Sequence, residues 1–212
     1  TNPSISLGIP GNTQNQCAPR TYGFVATFAD NSGTLNSPGT IYTKYTNDGK
    51  PDSVFIHPNP ATDLESDTIF HTFDDASCGY STPFYDNSFL VGVAATNGCG
   101  SSSAEVSPIT QSSPPIANMV DMDSIYCIEE PVTFSDSSLG GKYVYGVNTG
   151  SGFSYECDTV DAIAWVFEPD TGFTILSGSL GTIPLDYFDS TTYGTNELVV
   201  EFHYQMSYSV KL

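Results

Sequence analysis

Three histidines, His57, His71 and His203, are the only imidazoles in this 212-residue chain. A catalytic triad or a metal trio would require them to converge with a nucleophile or further ligands, and no Gly-x-Ser-x-Gly turn accompanies them. His203 alternates with Phe202 and Tyr204 in a strand-like pattern, and His71 precedes Thr72-Phe73, so both read as residues that pack beside strands. The carboxylate pairs Asp74-Asp75, Glu129-Glu130 and Asp121-x-Asp123 would interest a glycosidase. Adjacent residues on extended chain point to opposite faces, so the adjacent pairs do not converge on one bond and read as solvated surface. The expected catalytic set is therefore empty: no hydrolase, transferase or oxidoreductase machinery and no organic cofactor.

Calcium is the one cofactor the residues invite. Hard cations take several oxygens from a loop, and Asn47-Asp48-Gly49-Lys50-Pro51-Asp52 offers three side-chain ligands (Asn47, Asp48, Asp52) in six residues. Asp121 and Asp123 offer two more, next to a candidate module junction. Neither stretch has EF-hand spacing, and ordinary turn and Asx-cap chemistry accounts for both. Among the 13 tyrosines and 13 phenylalanines, Tyr80, Tyr85 and Tyr155 fall where a core does not demand them, so these three are the candidates for stacking on sugar rings.

The five cysteines, at 17, 78, 99, 127 and 157, show no Cys-x2-Cys zinc spacing and suit an oxidising compartment. Cys78 and Cys99 bracket a long loop and a strand. Their pairing would stabilise by roughly 3 kcal/mol in the chain-entropy model. Cys127 and Cys157 pair by elimination if the two halves of the chain fold independently. The odd count leaves Cys17 over, and a Cys17–Cys99 pairing would leave Cys78 instead; the sequence leaves both open.

The elements that must position these groups read as strands throughout. Period-2 or β-branched runs occur at 4–9, 22–29, 40–46, 53–56, 68–73, 89–96 and 104–109, then at 116–120, 132–135, 143–147, 162–167, 173–177, 197–204 and 208–210. About seven short strands per ~105 residues is the density of an immunoglobulin-like sandwich. No window combines strong helix formers at 3.6-residue spacing. Ser112-Ser113-Pro114-Pro115 stops any ladder, which divides the chain into one sandwich over 1–111 and a second over 112–212. The second ends without the Asn-x-Cys-Gly turn of the first and reads as cut short.

Five Lys plus Arg against 24 Asp plus Glu give a net charge of −19. Such a surface cannot neutralise phosphates, which excludes nucleic acid as a partner, and anionic lipid repels it. No stretch approaches 18 apolar residues, so no membrane insertion is expected. The start Thr1-Asn2-Pro3 carries no leader features, which reads as a mature segment or an excised fragment.

The seam from Phe89 to Ser138 carries a resemblance. Asn97-Gly98-Cys99-Gly100 after an aliphatic strand, the proline joint, and Cys127-(x4)-Val132-Thr133-Phe134-Ser135-Asp136-Ser137-Ser138 resemble junctions between PKD-type, immunoglobulin-like repeats. These occur in very large secreted surface proteins of gliding Bacteroidetes, including the gliding adhesins. Tyr42 to Gly49 stands where that family has Trp-x-Phe-Gly-Asp-Gly, and His71-Thr72-Phe73 resembles its His-x-Tyr. Trp165 supplies the family's tryptophan in the second half, but Glu168-Pro169-Asp170 replaces its Gly-Asp-Gly. The resemblance implies two tandem β-sandwiches in a non-catalytic, extracellular adhesin segment that supports surface adhesion and gliding. It would be an elongated monomer whose partners are extracellular surfaces or polysaccharide and neighbouring repeats. The competing expectation is a carbohydrate-binding accessory module of a secreted hydrolase.

Overall fold

A computed structural model describes residues 2–9, 11–29, 36–37, 39–56, 66–120, 125–150, 152–160, 162–182 and 193–212. The protein is all-β, with sixteen strands and no helix among the described residues. It separates into two compact units. Thr1–Pro114 joins Lys142–Asp158 in the first, and Pro115–Gly141 joins Thr159–Leu212 in the second.

The first unit is built from two sheets. Strands β1 (Ser6–Gly8), β3 (Arg20–Thr27) and β6 (Ser66–Phe73) form one, in the order β1-β3-β6. Strands β4 (Ile41–Thr46), β5 (Ser53–Ile56), β7 (Phe89–Asn97) and β8 (Gly100–Ile109) form the other, in the order β5-β4-β7-β8. All pairings within both are antiparallel. Alternation decides the inner faces: Tyr22, Phe24 and Ala26 of β3 and Phe89, Val91, Val93 and Ala95 of β7 are buried and meet across the sandwich. Phe73 stacks on Phe89 with ring centroids 4.2 Å apart. The outer face of β7 is covered at one point by an aromatic ring. Tyr45 lies opposite Gly92 in register, and a Cβ at Gly92 would meet that ring at 2.2 Å, so any larger residue there would displace the tyrosine.

A short parallel pairing joins β2 (Gln16–Cys17) to β9 (Gln111–Ser112). Part of the proline-ended joint is thus built into the first unit. Gln111 is fully buried, its side-chain amide donating to the Phe73 and Asp75 carbonyls, each at 3.0 Å.

The second unit has one sheet of β10 (Pro131–Ser135), β14 (Phe173–Ser177) and β15 (Glu197–Phe202), ordered β10-β15-β14. A second pairs β13 (Val166–Glu168) with β16 (Ser209–Lys211). Val132, Phe134, Trp165, Phe167, Leu198 and Val200 form its core. The Trp165 indole N–H reaches the Thr195 carbonyl at 2.9 Å, which satisfies the one polar atom that its burial would orphan. The run 116–120 makes only isolated bridges, Ile116 with Leu139 and Met119 with Asp136.

The remaining sheet departs from a division into consecutive halves. Strands β11 (Gly141–Asn148) and β12 (Phe153–Val160) form a two-stranded ladder, with an isolated bridge from Lys142 to Ser113 besides, and nearly all of this ribbon belongs to the first unit. β12 has no counterpart among the expected strands, although Phe153, Tyr155 and Cys157 alternate with Ser154, Glu156 and Asp158. One face carries Val144 and Tyr155, both buried, and Phe153, whose ring lies where a Cβ on Gly146 would stand. The opposite face carries Tyr143, Tyr145 and Glu156.

Candidate functional site

The chain has few cations, and two of the five cluster in one place. Lys44 on β4 and Lys50 after the β4–β5 turn flank His71 of β6 and Asp48. Lys44 is two residues from the inward-facing Tyr42, and His71 is two from the inward-facing Phe73, so this polar group bridges the facing sheets. The His71 Nε2–Asp48 Oδ2 distance is 2.8 Å, and both side chains are only 6% exposed. Lys44 Nζ lies 3.3 Å from His71 Nδ1. An ammonium can only donate, so Nδ1 is the acceptor and Nε2 carries the proton given to Asp48. Burial lowers the pKa of His71, outweighing the pull of Asp48, and the charges of Lys44 and Lys50 reinforce that lowering. Burial would raise that of Asp48, but hydrogen bonds from Thr46, His71 and the Lys50 amide hold it below its ordinary 3.8. Lys50 donates to the Thr72 carbonyl and pairs with Asp74 at 2.7 Å.

Both ring nitrogens of His71 are therefore engaged within the fold, which suits a polar clamp better than proton transfer to a substrate. The cluster also shows what Asn47, Asp48 and Asp52 do. Asn47 donates to the Ser81 and Ser88 carbonyls and accepts from the Leu90 amide, bracing the 81–90 segment. Asp48 caps its own turn, and Asp52 is exposed. No group of three or more His, Cys, Asp or Glu that could hold a metal occurs among the described residues. Asp121, Asp123 and His57 lie outside the described residues. His203 is on the other unit, 2.7 Å from the Thr174 hydroxyl.

The three tyrosines singled out for sugar stacking sit in packed surroundings. Tyr80 packs on Phe89 at 4.7 Å, Tyr155 is 4% exposed, and Tyr85 meets Tyr155 edge-on. Phe84, by contrast, is 80% exposed, and Tyr143 and Tyr145 form a half-buried, near-parallel pair with centroids 5.7 Å apart. Hydrogen bonds to Asp158 and Glu156 push the Tyr145 pKa up to about 12, so it stays a neutral donor. In the second unit a cleft of about 510 Å³ is lined by Tyr126, Cys127, Phe134, Phe202, Met206 and Val210. None of these residues forms an acid–base pair.

The cysteine pairing differs from the expectation. Cys78 bonds Cys157, with Cα atoms 5.7 Å apart, in place of Cys78–Cys99 and Cys127–Cys157. Cys17, Cys99 and Cys127 are exposed and outside that disulfide. Elimination failed because it assumed that each half keeps its own cysteines, whereas the β11–β12 ribbon carries Cys157 onto the first unit. The signal available was the alternation of β12, which puts Cys157 on the same face as the apolar Phe153 and Tyr155. Compared with protein-family models and with curated proteins, this chain matches none, so its functional reading stands on its own residues.

Proposed function

We propose that this chain is a non-catalytic, load-bearing segment of a large secreted cell-surface adhesin. The observation that carries this reading is the strand order of the first unit. Labelled in the immunoglobulin manner, β1-β3-β6 would be A-B-E and β5-β4-β7-β8 would be C′-C-F-G, an order that supports an immunoglobulin-like module. The clamp at His71 and a disulfide closing 79 residues suit a module that keeps its shape outside the cell. The excess of carboxylates suits crowded copies that repel one another. Fold does not give function by itself, so adhesion is the property to measure. Beads coated with the chain should be retained under flow on polysaccharide-coated or cell-derived surfaces. Retention no greater than that of albumin-coated beads on every surface would overturn the adhesin reading.

A second reading, a carbohydrate-binding accessory module, is favoured by one observation, the Tyr143–Tyr145 pair beside Glu156 on the outer ribbon face. Near-parallel rings offer stacking area, and a carboxylate beside them can accept from sugar hydroxyls. Binding on a glycan array that disappears in a Tyr143→Ala/Tyr145→Ala variant would establish it.

A further inference from the structure

The disulfide joins residues 79 apart, and the intervening chain holds five whole strands: β7, β8, β9, β10 and β11 all lie between Cys78 and Cys157 in sequence. We infer that Cys78–Cys157 is a covalent bypass for tension, which takes residues 79–156 out of the load path and makes the extensible length of the chain depend on its redox state. Tension applied from both sides reaches Cys78, crosses the sulfur–sulfur bond and leaves from Cys157. The enclosed strands can lose their hydrogen bonds yet cannot be drawn out. This inference takes its biological meaning from the load-bearing reading above, but its physical content does not depend on adhesion.

The bond carries this role because it is the one covalent cross-link between the ribbon and the β3–β6–β7 side of the unit among the described residues. β11 and β12 join neither sheet of the first unit as a ladder. Among the described residues, Ser113 and Lys142 exchange backbone hydrogen bonds between the ribbon and the rest of that unit, at 2.9 and 3.1 Å. Side-chain bonds include Asn87 to the Tyr155 carbonyl at 2.9 Å, the Val144 amide to the Ser112 hydroxyl at 3.0 Å and the Lys142 amide to the Ser113 hydroxyl at 3.3 Å. Val144 and Tyr155 supply the buried apolar contact. Scattered hydrogen bonds of this kind rupture one after another under load, whereas a ladder sheared along its length resists as a set. With the bond intact the ribbon stays attached; once it is cut the ribbon peels away early. Both sulfurs belong to half-buried residues, within reach of a small thiol.

The chemistry balances with an external dithiol. One thiolate of the dithiol attacks a sulfur of the disulfide and breaks the Cys78–Cys157 bond through a mixed disulfide. Its second thiol then closes the reagent into its own disulfide. Two electrons and two protons pass to the protein, leaving Cys78 and Cys157 as thiols and the reagent oxidised.

Single-molecule pulling of the full chain, held by handles at both ends, tests this. The 79-residue separation corresponds to about 270 Å of contour at ~3.3–3.6 Å per residue. The oxidised chain should extend short of its full length by that amount, and dithiothreitol added to a chain held stretched should release one further step of about 270 Å. A Cys78→Ser/Cys157→Ser variant should reach full length with or without the reagent. An unmodified chain that reaches full contour before reduction, or shows no step after it, would overturn the bypass. Bead adhesion, measured separately, decides the load-bearing reading.

Discussion

The two units solve the same burial problem with different means. The first has seven antiparallel strands in two facing sheets, two aromatic-rich core clusters, a buried ionic clamp and a disulfide. The second has sheets of three and two strands around one core in which Trp165 and Phe134 are central. The first unit also holds a ribbon drawn from the sequence between β10 and β13 of the second. The chain therefore passes between units at three places, after Pro114, Gly141 and Asp158. Sequence order and spatial membership are separate properties, and here the difference lies in a single ribbon.

The largest expected effect sharpens this contrast. In the chain-entropy model, closing a loop of 79 residues stabilises by about 4.5 kcal/mol, so a Cys78→Ser/Cys157→Ser variant should destabilise the first unit by up to that amount. Digestion of the unreduced protein should yield a peptide linking Cys78 to Cys157, and a Cys78–Cys99 peptide in its place would refute the pairing. Phe24→Ala comes next, at about 3–5 kcal/mol for emptying a fully buried ring site in the first unit. Trp165, the sole tryptophan, lies in the second unit and reports on it alone. Phe24→Ala should lower the melting seen by circular dichroism while leaving the tryptophan fluorescence transition in place. If the two transitions move together, the units form one cooperative block and the comparison fails.

A smaller effect depends on pH. The folded pKa of His71 is depressed, so the fold favours the neutral ring; that contribution is complete above about 6.5 and is lost as pH falls through the lowered folded value. The folded pKa of Asp48 is also depressed, so its contribution holds above 3.8 and is lost as pH falls below that. Both act in one direction: the first unit should lose stability on acidification below about pH 6.5. His71→Gln, expected to cost about 1–3 kcal/mol at pH 7, should flatten the upper part of that slope. An unchanged slope in chemical denaturation from pH 7 to 5 would remove His71 from the account. The smallest effect contrasts with the clamp. The Lys211–Glu168 pair, 3.1 Å apart and exposed on both sides, should tolerate Lys211→Ala within about 0.5 kcal/mol by the same denaturation.

Much of the fold was legible in local patterning. The alternation of Tyr22, Phe24 and Ala26 follows from period-2 burial, the continuous apolar run of β7 reads as a central, covered strand, and Pro114 stands at a passage between units. The ribbon's home was not legible, because alternation fixes which face of a strand is buried but not which sheet it meets. The Cys78–Cys157 pairing was not legible for the same reason, since it depends on a contact between distant segments. At the clamp, the asparagine and aspartate of the Asn47-Asp48-Gly49 turn suggested oxygens for a cation. The partners Asp48 found are His71, from a strand more than twenty residues away, and Lys50 on the other side of the turn, while Lys44 reaches the second nitrogen of the His71 ring.

The placement of Lys44 and Lys50 also changes how the exterior behaves in bulk. With these two cations engaged at Asp48, His71 and Asp74, the remaining surface is a polyanion with almost no internal counter-charge. A dense coat of such chains must hold its neutralising ions in the water between them. The osmotic pressure of those ions would swell the coat in dilute media. Added salt would collapse it once the screening length falls to a few ångströms, near ~1 M.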